Sequence, residues 1–307
     1  MDIKVVCYAI VVTYNGAKWI DLCFGRLLNS TIPVKIIAVD NGSSDGTLDI
    51  LREKFPEVAV FKMKKNLGFG GANNIGIKIA QKAGADYVFL LNQDAWVEPD
   101  TIEKLVRAAK RHPQYGIVSP LHLTGSGEKL DEYFLAYILP QNCPGLISDM
   151  GVRRLKNEIY KVDFVNAAAW LISRRTIETI GGFNPIYFVY CEDENYIHRL
   201  HFHGLEVGIY PHSIIYHDRE NRPLSPYFTD QFELEFRRAM LKYSNPGEED
   251  SISHFIIHLC KHIFLNILLL RFARAYNYYK LLRTIIKRLP EIKETKNRSR
   301  IAGPIFL

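Results

Sequence analysis

A chain of 307 residues, 48% hydrophobic and 23% charged, can hold one large α/β domain and a smaller appendage, and is excluded from the disordered classes. Its net charge of +6 is uneven: residues 271–300 carry ten Lys/Arg against Glu291 and Glu294, which leaves the rest slightly acidic and suggests an anionic surface as partner at one end. Five scattered cysteines without a C-x-x-C argue for free thiols in a reducing, cytoplasmic setting, and no uninterrupted run of 18 apolar residues suggests a spanning helix.

In chain order, the first 120 residues alternate between two kinds of segment. Val5–Thr13, Val34–Asp40, Val58–Met63, Tyr87–Asn92 and Gly116–Leu121 are short, apolar and rich in β-branched residues. Between them Lys18–Asn29, Thr47–Phe55, Ala72–Ala83 and Asp100–Arg111 carry apolar residues at helical spacing. This alternation predicts a mostly parallel sheet with helices on both faces, and near-continuous apolar strands fit burial on both sides. Polar and glycine-rich stretches follow the strands, so Tyr14, Asn15, Asp40, Asn66 to Asn74 and Asp94 are expected along one sheet edge, where open α/β folds bind ligands.

Residues 122–161 are less regular and read as loops and short elements. Val162–Ser173 reads as a strand, Arg174–Ile180 as a short helix, and Gly181 to Pro185 as a break. Glu192–His203 is helical, while Glu206–Pro211 and Ser213–His217 are strand-like. Asn245-Pro246-Gly247 marks a boundary: a catalytic domain over 1–245, in halves of about 1–120 and 121–245, and a basic amphipathic helical extension over 246–307. In that extension His254, His258, His262 and Asn266 step by four, a polar stripe on an interfacial helix.

Two local patterns carry chemistry. The apolar run Tyr87 to Leu91 ends at once in Asn92-Gln93-Asp94, which delivers a carboxylate to the end of a buried strand; an Asp there can hold a divalent cation, and a turn before a helix start is the plainer reading. Glu192-Asp193-Glu194 places three acids at a helix start, where they can cap the dipole or offer a base to a hydroxyl. Gly68-Phe69-Gly70-Gly71 departs from the dinucleotide fingerprint and is read as letting backbone approach a nucleotide or sugar.

Together, Val12-Thr13-Tyr14-Asn15, Val39 to Thr47 (VDNGSSDGT), Asn66 to Asn74 (NLGFGGANN), Asn92-Gln93-Asp94, Gly181-Gly182-Phe183-Asn184 and Glu192-Asp193-Glu194 resemble, in order and spacing, the family-2 inverting glycosyltransferases of GT-A fold. The form NLGFGGANN is most similar to the bacterial rhamnosyltransferase branch, which uses dTDP-rhamnose. The resemblance covers about residues 5 to 220.

It implies a set of roles. Tyr14 would stack on the nucleotide base, and Asp40 or Asn41 would reach the base or ribose. Thr13, Asn15, Asn66, Gly68, Gly71, Asn74 and Asn92 would complete the nucleotide-sugar site. Asp94 would hold Mg²⁺ or Mn²⁺, with His217 a candidate second ligand, and Asp193 would be the catalytic base. One departure matters: where many members carry two or three aspartates, Asn92 and Gln93 precede Asp94, although rhamnosyltransferase-like members commonly show Asn-x-Asp. The implied partners are a dTDP- or UDP-sugar and a saccharide acceptor, possibly lipid-linked, with no nucleic acid. The extension would contact the inner face of the cell membrane peripherally or pair in a homodimer. The competing function is a catalytically inactive, glycosyltransferase-like binding or scaffold protein.

Overall fold

The computed structural model describes residues 5–220 and 229–307. Contacts divide the chain into two units, Met1–Asn221 with Ala302–Leu307, and Arg222–Ile301. The expected division after residue 245 is thus drawn earlier, the helix at 231–244 groups with the extension, and the last six residues belong to the first unit.

The first unit opens with β1 (Cys7–Thr13), α1 (Ala17–Leu28), β2 (Val34–Asp40), α2 (Thr47–Lys54), β3 (Ala59–Lys62), α3 (Gly68–Lys82) and β4 (Tyr87–Asn92). There follow β5 (Ala95–Val97), α4 (Thr101–Arg111) and β6 (Tyr115–Thr124). Two six-residue helices, α5 (Glu132–Tyr137) and α6 (Leu146–Gly151), precede β7 (Tyr160–Lys161), β8 (Ala169–Ser173), α7 (Arg174–Ile180), α8 (Glu192–Phe202) and β9 (Glu206–His217). Among the described residues these strands form one nine-stranded sheet ordered β3-β2-β1-β4-β8-β6-β9-β5, with β7 on β9.

Strand alternation explains the layers. In β1, Cys7, Ala9 and Val11 face one core, with Phe24 and Leu27 of α1 and Leu105 of α4. Tyr8 and Ile10 face the other, with Ala72 and Ile77 of α3, Ile177 of α7 and Tyr196 of α8. β4 splits the same way: Phe89 and Leu91 to the first core, Val88 and Leu90 to the second. Two covered faces are what a parallel sheet requires, and they explain why these strands are apolar throughout.

Most expected elements appear within a few residues of their predicted ends. Two differ. Val162–Ser173 is a strand only from Ala169, where β8 pairs antiparallel with β4 (Leu91↔Ala169). α3 begins at Gly68, four residues before the expected start, so the glycine cluster is its first turn.

Among its described residues the second unit contains α9 (Gln231–Ser244), α10 (Ile252–Leu268) and α11 (Phe272–Ser299). Tyr243 packs on Phe255 at 5.7 Å between ring centroids, and His262 stacks on Tyr278 at 4.9 Å. Lys296 Nζ and Arg300 Nε donate to the Glu248 and Pro246 carbonyls and tie the end of the unit to its α9–α10 connection.

Candidate active site

The parallel strands deliver their loops to one edge, and those loops interlock. Thr13 Oγ1 donates to Asp40 Oδ2 (3.0 Å), and Asn41 N donates to the Thr13 carbonyl (2.8 Å). Asn15 N donates to Ser43 Oγ and its Oδ1 accepts from Ser44 N, each at 2.9 Å. Asn41 reaches α3, donating from Nδ2 to the Gly68 carbonyl (3.1 Å) and accepting from Leu67 N (3.2 Å). Asn66 Oδ1 accepts from Gly68 N (2.8 Å) and fixes the first turn of α3. Tyr14 is held by Gln93, whose side-chain amide accepts from Tyr14 N (2.9 Å) and donates to Tyr14 O (3.0 Å). The sheet edge therefore gathers Thr13 to Asn15, Asp40 and Asn41, Asn66, Gly68 and the Asn92–Asp94 turn.

Two of these side chains are largely spent inside the protein. Asp40 accepts from Thr13 Oγ1, Ser43 Oγ and the Gly42 and Ser43 amides, as many donors as a carboxylate ordinarily takes, so its visible work is to shape the 40–47 loop. The Asn74 amide donates to the Phe183 and Phe306 carbonyls and accepts from Phe183 N, which pins the Gly181–Phe183 turn. Tyr14, by contrast, stands 48% exposed on a clamped backbone, an arrangement suited to stacking on a flat ring.

The glycines make room for the chain itself. A Cβ on Gly68, at φ +74°, would lie 2.0 Å from the Phe188 carbonyl oxygen, and one on Gly70 would lie 2.8 Å from Phe183 Cβ. Gly71 follows in the same turn, its Cβ position 3.2 Å from that of Leu67. Gly68 and Gly70 thereby let α3 pack closely on residues 183–188.

Asp94 and His217 are brought together by register. β5 pairs antiparallel with β9, Ala95 opposite His217, and Asp218 N donates to the Asp94 carbonyl (2.9 Å). His217 Nε2 then lies 3.4 Å from Asp94 Oδ1, with both side chains buried. Neither ring nitrogen of His217 has a hydrogen-bond partner, which is costly for a buried imidazole. A carboxylate facing an imidazole whose nitrogens are unspent fits a divalent cation with the remaining ligands supplied from outside the protein. No group of three His, Cys, Asp or Glu among the described residues offers a fuller cage.

Asp193 is positioned differently. Tyr190 and Cys191, at φ +64° and +69°, turn the chain sharply into α8, whose first three residues are Glu192, Asp193 and Glu194. Consecutive left-handed residues without glycine are uncommon and mark a backbone held by its surroundings. Burial, with the Glu194 charge adding, pushes the Asp193 carboxyl up to about 6, against amide donors from Glu194 and Ala167. A carboxylate tuned into this range suits proton abstraction near neutrality.

Three features escaped the sequence reading. Gln93 clamps Tyr14. Arg219, two residues past His217, makes a two-pronged ion pair with buried Asp131, the N-cap of α5, and its guanidinium lies 4.7 Å from the Tyr133 ring centroid. Tyr137, packed edge-on against Phe164 at 5.0 Å, has its phenol pushed up by burial and by the Asp193 charge, so α5 comes near Asp193. An Arg close behind a strand-end His was the one signal available for these; the α5 contacts have none in the sequence.

The model of glycosyl transferase family 2 matches residues 8–181, more than half of the chain. The chain belongs to this family. It is 26% identical over 245 residues, 71% of this chain and 78% of the relative, to an N-acetylglucosaminyl-diphospho-decaprenol L-rhamnosyltransferase of Mycobacterium tuberculosis. Among solved structures it resembles the mannosyltransferase PcManGT of Pyrobaculum calidifontis in complex with GDP-Man and Mn²⁺ (TM-score 0.55, 16% identity, 96% of this chain and 84% of that one). It also resembles S. aureus TarS 1-349 in complex with UDP-GlcNAc (TM-score 0.54, 15% identity, 96% and 79%). These likenesses confirm the GT-A fold, and this family-2 member is a glycosyltransferase.

Proposed function

We propose that the protein catalyses inverting transfer of a hexosyl group, rhamnose from dTDP-rhamnose in the first instance, to a hydroxyl of a lipid-linked precursor of a bacterial surface glycan. The observation that carries the reading is the buried Asp94–His217 pair, whose unspent imidazole nitrogens face a carboxylate at the sheet edge where the nucleotide loops meet. Mg²⁺ or Mn²⁺ held by Asp94 and His217 would neutralise charge on a departing nucleotide diphosphate. Tyr14 and the 40–47 loop then form the nucleotide side of the site. Asp193 takes the acceptor proton, and with one base and no covalent nucleophile the transfer inverts the anomeric centre. The 26%-identical relative, named for a rhamnosyl donor and a polyprenol-diphosphate acceptor, supports both the donor and the lipid-linked acceptor. On this reading the enzyme works at the inner face of the cell membrane.

The test is nucleotide release from a panel of dTDP- and UDP-sugars with Mg²⁺ or Mn²⁺, with and without a polyprenyl-diphosphate-linked N-acetylglucosamine acceptor. The expected result is metal-dependent release fastest with dTDP-rhamnose and accelerated by the acceptor. Binding of nucleotide sugars without turnover of any of them would instead identify an inactive binding protein.

A further inference from the structure

Residues 251–290 contain no aspartate or glutamate, yet carry seven lysines and arginines. They make up α10, the turn after it and most of α11. At that turn Leu268, Leu269, Leu270 and Phe272 are 62, 57, 75 and 63% exposed, and Phe264, Leu265 and Tyr276 extend the patch. Clusters of open apolar side chains of this kind mark interaction sites. The buried apolar positions of the two helices, Leu259, Ala275, Leu281, Ile285 and Ile292, lie elsewhere.

Leu270 sharpens the point. It sits at φ +54°. Its N–H and that of Arg271 close the end of α10 on the Ile267 and Asn266 carbonyls. This closure favours glycine or asparagine at the left-handed position. The leucine there has an unfavourable backbone conformation and gains no burial from the fold.

We infer that the α10–α11 turn is an interfacial wedge for an anionic phospholipid bilayer. Leu268, Leu269, Leu270 and Phe272 enter the boundary between acyl chains and headgroups, and the exposed Lys261, Arg271 and Arg274 meet the headgroup charge. No described helix is long and apolar enough to cross a membrane, so the element lies in the interface. Charge selects the occupant. A second copy of the same turn would set Arg271 and Arg274 against their own like charges with no acid between 251 and 290 to offset them, whereas anionic headgroups supply the opposite sign. Docking takes only its purpose from the lipid-linked acceptor proposed above.

The full chain, without donor or acceptor, is sedimented with vesicles of phosphatidylethanolamine and phosphatidylglycerol, and separately with vesicles of phosphatidylcholine. Partition is expected to favour the anionic vesicles by about tenfold or more and to weaken with salt. The triple variant Leu268→Ser, Leu270→Ser, Phe272→Ser, and separately Arg271→Glu with Arg274→Glu, should each lower it by about tenfold or more. Melting temperature and donor hydrolysis in solution should stay at wild-type values, because these side chains are exposed and outside the catalytic unit. Equal binding to both vesicle types, or anionic binding unchanged in the triple variant, overturns the wedge. So does a wild-type dimer that the triple variant converts to monomer without any vesicle binding, which would assign the patch to a second copy. Vesicle binding by a chain that hydrolyses no donor would uphold the wedge while removing the transferase reading.

Discussion

The two carboxylates of the site are held by different kinds of structure. Asp94 lies between strand ends whose ladders set its place: β4 stops at Asn92, β5 starts at Ala95, and the Ala95↔His217 register fixes the residue before it. Asp193 follows two left-handed residues at the head of a helix, and the turn upstream is propped from far away in sequence. Arg199, fully buried, donates to the Ile180 and Gly182 carbonyls and to Asn195 Oδ1. Asn74 and Ile305 bond the same turn from α3 and from the end of the described chain. Backbone periodicity places the first carboxylate and long-range side-chain contacts place the second, so the two arms should fail in different ways.

The largest expected effect separates them directly. Arg199→Leu leaves two buried carbonyls and Asn195 without their charged donor and should cost about 3–5 kcal/mol of stability. A fall in melting temperature and urea midpoint would show it, and an unchanged midpoint would mean that the turn does not depend on Arg199. Asp193→Asn keeps the shape and removes the proposed base, so turnover should fall by a factor on the order of 10² while donor affinity holds. Glu194→Gln serves as the control, and a larger loss there would move the base to Glu194.

Asp94→Asn should remove the metal-dependent part of donor affinity, about 10- to 100-fold by calorimetry with and without Mn²⁺, with little change in melting temperature. The pH profile tests the environment of Asp193. Burial and the Glu194 charge push its carboxyl up to about 6, so the ionised form that the proposed role requires is lost as pH falls through that range. Turnover should drop about tenfold per pH unit below it, and an acid limb near 4 would mean that the base titrates as an ordinary exposed carboxylate. The smallest effect is that of Gln93→Ala, which frees the Tyr14 backbone: KM for donor should rise a few-fold with kcat nearly unchanged, the pattern of a lost binding contact.

The same contrast explains what was legible in the sequence. Strands buried on both faces must be apolar throughout, and β1, β2 and β4 could be placed from that alone, as could the loops that follow them. Asp94 was legible because an abrupt change from Leu91 to Asn92 marks a strand end. Residues 122–161 lack such signals: α5 and α6 have six residues each and β7 has two. What holds them is tertiary, such as the Tyr160 hydroxyl donating to Asp149 Oδ2 at 2.7 Å and the Asp131–Arg219 pair. The structural partners of Asn74 were illegible for a related reason. A motif shows which residues recur together and not which of them face inward, and Asn74 is spent on the Gly181–Phe183 turn.

That turn also changes how the protein can be dissected. Gly303 N donates to the Thr179 carbonyl, Gly182 N donates to the Ile305 carbonyl, and a Cβ on Gly181 would lie 1.9 Å from Ile305 O. The chain thus leaves the first unit after Asn221, builds three helices among the described residues and rejoins it at Ala302. In sequence, the helical unit is an insertion between Asn221 and Ala302 of the first unit. Cutting the chain at residue 245 would therefore be a double lesion, removing helices and an internal strut together. Exchanging residues 222–301 for a flexible linker, with Ala302–Leu307 retained, is the excision that respects this topology.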